Sequence, residues 1–149
     1  MEYEMNNKRI VEKWFNAVWG ETYSPSVIDE LAADEIVMQY PIHGRLHGIE
    51  DIKGMLGRLR AAFPDLAFEV VGEILADKNY VFGRWQEGGT HTGPEFSDLP
   101  AGKLDKNSGK SINFSGMTIF KVEDGKTLEE IGEEDALKAA LQLGVIETT

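Results

Sequence analysis

Three histidines and 26 acidic side chains are the groups here that could move a proton near neutral pH, and the 149-residue chain has no cysteine. Thiol nucleophiles, disulfides and cysteine metal sites are therefore excluded. His91 lies in "GGTHTG" (88–93). On a regular strand it would share a face with Glu87, Trp85 and Gly83, and glycines beside a tryptophan leave a ring-lined space at the imidazole. The competing reading is a surface histidine at a strand end. His43 and His47 are four apart, a metal-binding spacing on a helix. Pro41, Gly44 and Gly48 break helix, so "PIHGRLHG" reads as a loop and no metal site is assigned. Asp135 ends the acidic run "EEIGEED", where it would cap the following helix by accepting backbone N–H bonds. Glu129, Glu130, Glu133 and Glu134 read as a solvated face alternating with Leu128 and Ile131.

Patterning supplies the elements that must position these groups. Ile10, Val11, Trp14, Phe15 and Val18 recur at helical spacing over 6–19, stopped by Gly20. "SPSVIDELA" opens a second helix, with Ser24 as cap and Pro25 at the first helical position. "EIVMQY" (35–40) is a strand ending at Pro41. A third helix spans 49–62, with Ile49, Ile52, Met55, Leu56, Leu59 and Ala62 on one stripe. The period then changes to extended runs: 66–76 and 79–91 around "DKN", then 111–122 and 127–134 around "EDGK". A closing helix runs from Asp135 to Gly144. Helices, then a mostly antiparallel sheet, then one helix argue for an α+β domain spanning 1–149, with helices packed on a curved sheet that encloses a small-molecule pocket.

The chain carries a net charge of −11 at pH 7. That field repels nucleic acid and anionic membranes, so neither is an expected partner. No apolar run approaches the roughly 18–20 residues of a membrane span, and no signal layout opens the chain, so a cytoplasmic location is expected. Phosphate-loop, dinucleotide-binding, zinc-protease and nucleophile-elbow motifs are absent.

"RWQEGGTHTGPEF", "LPAGK", "SINFSGMTIFKVEDGK" and "EEIGEEDALKAALQLG", with "HGIEDIKGMLGRLRAAFPDLAFEV" upstream, resemble the SnoaL-like polyketide cyclases of the NTF2-like superfamily. Ketosteroid isomerase and limonene epoxide hydrolase belong to the same superfamily. The resemblance covers most of the chain. It departs at Ile131, where the family often has tryptophan, at Glu134, where it often has a bulky residue, and in the extra segment "LDKNSGK" (104–110).

The resemblance implies an NTF2-like cone with a deep apolar pocket. It also implies intramolecular aldol cyclisation, or a related isomerisation, of an apolar carbonyl compound. The substrate delocalises its own enolate, so no metal or cofactor is required. The resemblance carries the acid/base role onto Asp135 and the oxyanion-binding or orienting role onto His91. Tyr40, Trp85, Phe96, Asn113 and Met117 are the candidate pocket lining. Two alternatives stay open: a non-catalytic binding module, and an epoxide hydrolase using Arg84, Asn113 and Tyr40 around a water. A homodimer is a further expectation, because the outer face of a curved sheet is left to be covered.

Overall fold

The computed structural model describes residues 2–147. Helix α1 (Glu2–Trp19) turns Val11, Trp14, Phe15 and Val18 inward, and α2 (Pro25–Leu31) buries Ile28 and Leu31. Ser24 occupies the cap position of α2, but its side chain makes no capping bond. Strand β1 (Ala32–Tyr40) begins three residues earlier than the pattern placed it. Half of the expected loop "PIHGRLHG" is a strand, β2 (Gly44–His47), folded back antiparallel on β1 with Tyr40 opposite Gly44. Helix α3 (Ile49–Ala62) buries the expected stripe of Ile52, Met55, Leu56, Leu59 and Ala62.

Next come β3 (Ala67–Asp77) and β4 (Tyr80–Thr90), a short hairpin of β5 (Phe96–Leu99) and β6 (Gly102–Leu104), then β7 (Ser111–Glu123), β8 (Lys126–Glu134) and α4 (Ala136–Leu143). Six strands form one curved sheet in the order β2-β1-β8-β7-β4-β3, with only β1 and β8 parallel. This is the expected α+β, NTF2-like cone. Among the described residues no helix is long and apolar enough to cross a membrane.

The inner face of the sheet meets the helices. On β7 it presents Ile112, Phe114, Thr118 and Phe120, all buried, while Asn113, Ser115 and Met117 are exposed. Two glycines on this face are seats for aromatic rings. A Cβ on Gly116 would lie 2.2 Å from the Trp85 ring, and one on Gly132 would lie 1.9 Å from Tyr40 Cε1. Neither ring can retreat, because both belong to the packed core. Gly132→Ala is therefore expected to destabilise the fold by about 1–3 kcal/mol through overpacking. Urea unfolding measures this, and an unchanged midpoint would show that the Tyr40 ring has room to move.

Candidate active site

Where the sheet curls over α3 and α4, it leaves a cavity with an open mouth. Rings make most of its wall. Trp19, Tyr40, Phe68, Trp85 and Phe114 meet edge to face with centroids 5.1–6.2 Å apart. Phe63 and Leu59 of the α3 region, Phe96 and Leu99 of the β5–β6 hairpin, and Ala139 and Leu143 of α4 complete much of the rest.

The polar ends of these rings point away from the space they enclose. Trp14 Nε1 and Trp19 Nε1 donate to the two carboxylate oxygens of Glu130, at 2.6 and 2.7 Å, and the Tyr40 hydroxyl donates to Glu130 Oε2 at 2.5 Å. Thr118 Oγ1 lies 2.8 Å from the Tyr40 hydroxyl and accepts from Trp85 Nε1 at 2.9 Å. Glu130 has no exposed surface. Burial raises its carboxyl above the ordinary range, against the lowering effect of its three hydrogen bonds. Burial and the adjacent Glu130 likewise push the Tyr40 phenol well above its usual value.

Two polar groups on the wall remain uncommitted to this network. Glu134, the last residue of β8, accepts one hydrogen bond, from the backbone N–H of Ile42 at 2.9 Å. Burial raises its carboxyl to about 7, outweighing that bond. The next residue along the 41–43 turn, His43, stacks on Trp19 with centroids 5.9 Å apart. Its Nδ1 is shut off from solvent and has no partner among the described residues. Burial lowers the imidazole to about 4, against the opposing charge of Asp98, so it is neutral at pH 7. The end of β8 and the β1–β2 turn thus bring a poised carboxyl and a neutral imidazole to one apolar cavity. No Lys or Arg is among the residues that line it.

Neither His91 nor Asp135, the expected pair, is among the residues that line this cavity. His91 is fully buried, and both ring nitrogens are taken. Nδ1 lies 2.8 Å from Ser108 Oγ, and Nε2 lies 2.6 Å from the Pro94 carbonyl. Its backbone holds the same loop, accepting from Gly109 and donating to Lys110. The segment 105–110 is therefore a strap sealed by His91, which packs against Phe63. The flanking glycines serve close approach. A Cβ on Gly93 would lie 1.9 Å from the Ala61 carbonyl oxygen, and one on Gly88 would lie 2.1 Å from that of Ile112.

Asp135 is exposed, and its carboxylate accepts from Lys138 N at 3.1 Å as the cap of α4. Asp135→Ala is expected to cost about 1 kcal/mol, the ordinary worth of such a cap. A urea series would check it, and a much larger loss would imply a second role.

Of the other expected lining residues, Tyr40, Trp85 and Phe96 are on the wall. Asn113 and Met117 are one strand position out of phase and lie on the outer face. Arg84 is exposed on that face as well, so the three residues named for a water-activating epoxide hydrolase do not converge. Glu130 and Glu134, expected to be solvated, point inward because β8 turns Glu130, Gly132 and Glu134 to the cavity side. Sequence patterning also passed over His43 as a loop residue.

A family model for SnoaL-like polyketide cyclases matches residues 9–143. No curated protein matches the chain. Among solved structures, a candidate SnoaL-like polyketide cyclase from Jannaschia sp. CCS1 is 20% identical, with 99% of this chain and 97% of that one covered at a TM-score of 0.81. A candidate polyketide cyclase from Acidithiobacillus ferrooxidans is 25% identical, with coverages of 93% and 94% and a TM-score of 0.71. An epoxide hydrolase of the limonene-hydrolase-like type from M. tuberculosis is 18% identical over 94% and 90% at a TM-score of 0.67, a likeness of fold. Sequence match, strand order and the enclosed cavity agree, and the chain belongs to the SnoaL-like polyketide cyclase family.

Proposed function

We propose that the protein is a cofactor-free acid/base enzyme that removes a proton next to a carbonyl of a small, apolar molecule. Such a reaction allows aldol closure or isomerisation of that molecule. The observation that carries this reading is Glu134: a carboxyl raised to about 7 on the wall of an otherwise apolar cavity. A carboxylate that has lost most of its water is a stronger base than one in solution, and a base whose pKa matches the working pH transfers protons most efficiently. Neutral His43 supplies a second polar group without adding a charge. In this assignment Glu134 is base and acid, and His43 hydrogen-bonds the oxygen on which negative charge develops. The ring walls take the apolar body of the substrate.

Proton–deuterium exchange tests the reading without knowledge of the natural substrate. An apolar monoketone such as 2-tetralone, incubated with the protein in D2O, should lose its α-C–H signals faster than in buffer, as followed by NMR. The excess rate should vanish in Glu134→Gln and persist in Asp135→Asn. Ketones that bind without any enhanced exchange would move the protein to the class of binding modules. Loss of exchange in Asp135→Asn alone would return the base to Asp135.

A further inference from the structure

Phe96 and Leu99, on the cavity wall, belong to the hairpin of β5 and β6, which pair only with each other, apart from the main sheet. Among the described residues no backbone hydrogen bond joins 95–104 to the rest of the chain. The base of this hairpin is fixed, by contrast. Gly93 N–H donates to the Ala62 carbonyl at 3.0 Å, and Asn107 N–H to the Gly93 carbonyl at 2.9 Å. The His91 ring, bonded to Pro94 on one leg and Ser108 on the other, clamps the two legs together. Above that clamp only side chains hold the hairpin down. Phe96 meets Phe63 edge to face at 5.8 Å, Leu104 is buried, and the tip at Gly102 rests against Val145. One ion pair completes the set, Arg58 Nε of α3 donating to Asp98 Oδ2 at 2.6 Å. Its side chains are 59% and 27% exposed, so it breaks and re-forms at small cost.

The size of the cavity makes movement of its wall necessary. The free space is about 40 Å³, little more than the roughly 30 Å³ share of one water. A dry apolar cavity of about 150 Å³ holds one benzene. A ring-sized guest therefore enters only if part of the wall withdraws. The sheet strands on the wall are joined by backbone ladders, and α3 and α4 are fixed by the buried side chains they send into the core. The hairpin has neither constraint.

The geometry points to the β5–β6 hairpin as the gate of the cavity. It swings about the His91 clamp, parts Asp98 from Arg58 and withdraws Phe96 and Leu99, admitting a ring-sized apolar guest. The structure shows the shut position. Shutting also brings the Asp98 charge within range of His43, where it opposes the effect of burial on the imidazole, so the gate and the polar corner of the site are linked. This inference rests on the cavity taking a ring-sized apolar guest, as the proposed function requires, and is independent of the proton transfer.

The chain has no cysteine, so an introduced thiol reports alone. Ala139 of α4 and Leu59 of α3 both line the cavity, at 1% and 4% exposure. In Ala139→Cys and in Leu59→Cys the thiol should react with DTNB about 10–10³-fold more slowly than an exposed thiol, as expected for access through a minor open state. Asp98→Arg, which sets like charges face to face, should speed both reporters about tenfold, and adding Arg58→Asp should return both to within about threefold of the start. Urea unfolding should barely change, because the pair is largely exposed. Reporters indifferent to Asp98→Arg would overturn the gate, and so would rates that simply track urea stability. Acceleration of one reporter alone would mean local opening of its own helix, and thiols as reactive as exposed ones would mean a wall already open. Neither substrate nor Glu134 enters this readout, so the gate and the general base stand or fall separately.

Discussion

Glu134→Gln is expected to lower proton-transfer turnover about 10²–10⁴-fold, the usual worth of a positioned general base, and at the same time to make the protein more stable above pH 7. The two effects share one cause. Burial raises the Glu134 carboxyl from 4.5 to about 7 in the folded chain. The native state therefore holds its proton over a range where the unfolded chain has released it. Stability falls as pH rises through that range, from about 4.5 to about 7, and is then flat. A carboxyl displaced from 4.5 to about 7 costs about 3 kcal/mol once both states are ionised.

Glutamine is neutral throughout, and its amide oxygen can still accept from Ile42 N–H. Denaturant unfolding at pH 8 should therefore favour Glu134→Gln by up to about 3 kcal/mol, with the difference gone near pH 4. In the intact protein kcat/KM should climb with unit slope to a plateau beginning near pH 7. His43, at about 4, adds no limb between pH 5 and 8. A midpoint near the ordinary carboxylate value would remove Glu134 as the base. Equal stability of the two proteins at pH 8 would remove the burial argument. A fold that keeps a destabilising charge on a cavity wall fits a site under selection for chemistry.

The elements were legible in the sequence because their patterns were strong. The stripe of α3, the Pro25 start of α2, the Asp135 cap and the left-handed Gly144 end of α4 all appear where spacing placed them. The site was harder to read because β8 inverts the usual rule. Its cavity face is Glu130, Gly132 and Glu134, while Ile131 sits on the outer face. A reader who follows hydrophobicity turns that strand over, and a one-residue error of phase exchanges every side chain between faces. The same error put Asn113 and Met117 inside.

A usable signal lay in Gly132. A glycine two residues from each of two carboxylates leaves room for a ring to cross the strand, and Tyr40 does so. At His91 the local signal and the packing diverge for another reason. Glycine and threonine around a histidine suggested open space, whereas Gly88 and Gly93 are filled by backbone from β7 and α3. Sequence adjacency cannot reveal an approach by backbone as distant along the chain as Ala61 and Ile112.

Glu130→Gln is expected to cost about 3 kcal/mol and to loosen the cavity wall, although Glu130 is not itself among the residues lining the cavity. Its carboxylate receives Trp14, Trp19 and Tyr40, and through Thr118 the same network reaches Trp85. Glutamine keeps the shape but replaces one oxygen by an NH2 group, which cannot accept. At least one of the three buried donors then loses its partner. Hydrogen bonds to a charged group are each worth about 1.5–3 kcal/mol, and stranding a buried donor adds its desolvation cost. The opposing gain is relief of burying the carboxylate, which raises the Glu130 pKa. Three converging donors outweigh it, because removing one member of a buried charged network typically costs more than the intact network contributes.

Urea unfolding at pH 7 gives the magnitude. Coupling to Thr118→Val, in a double-mutant cycle, should exceed about 0.5 kcal/mol if the chain from Trp85 to Glu130 acts as one unit. Trp19 and Tyr40 line the cavity, so Glu130→Gln should also shift tryptophan emission and weaken binding of an apolar ketone probe. Glu134→Gln should leave the emission unchanged. A Glu130→Gln protein with wild-type stability and emission would mean that the wall is held by ring packing alone.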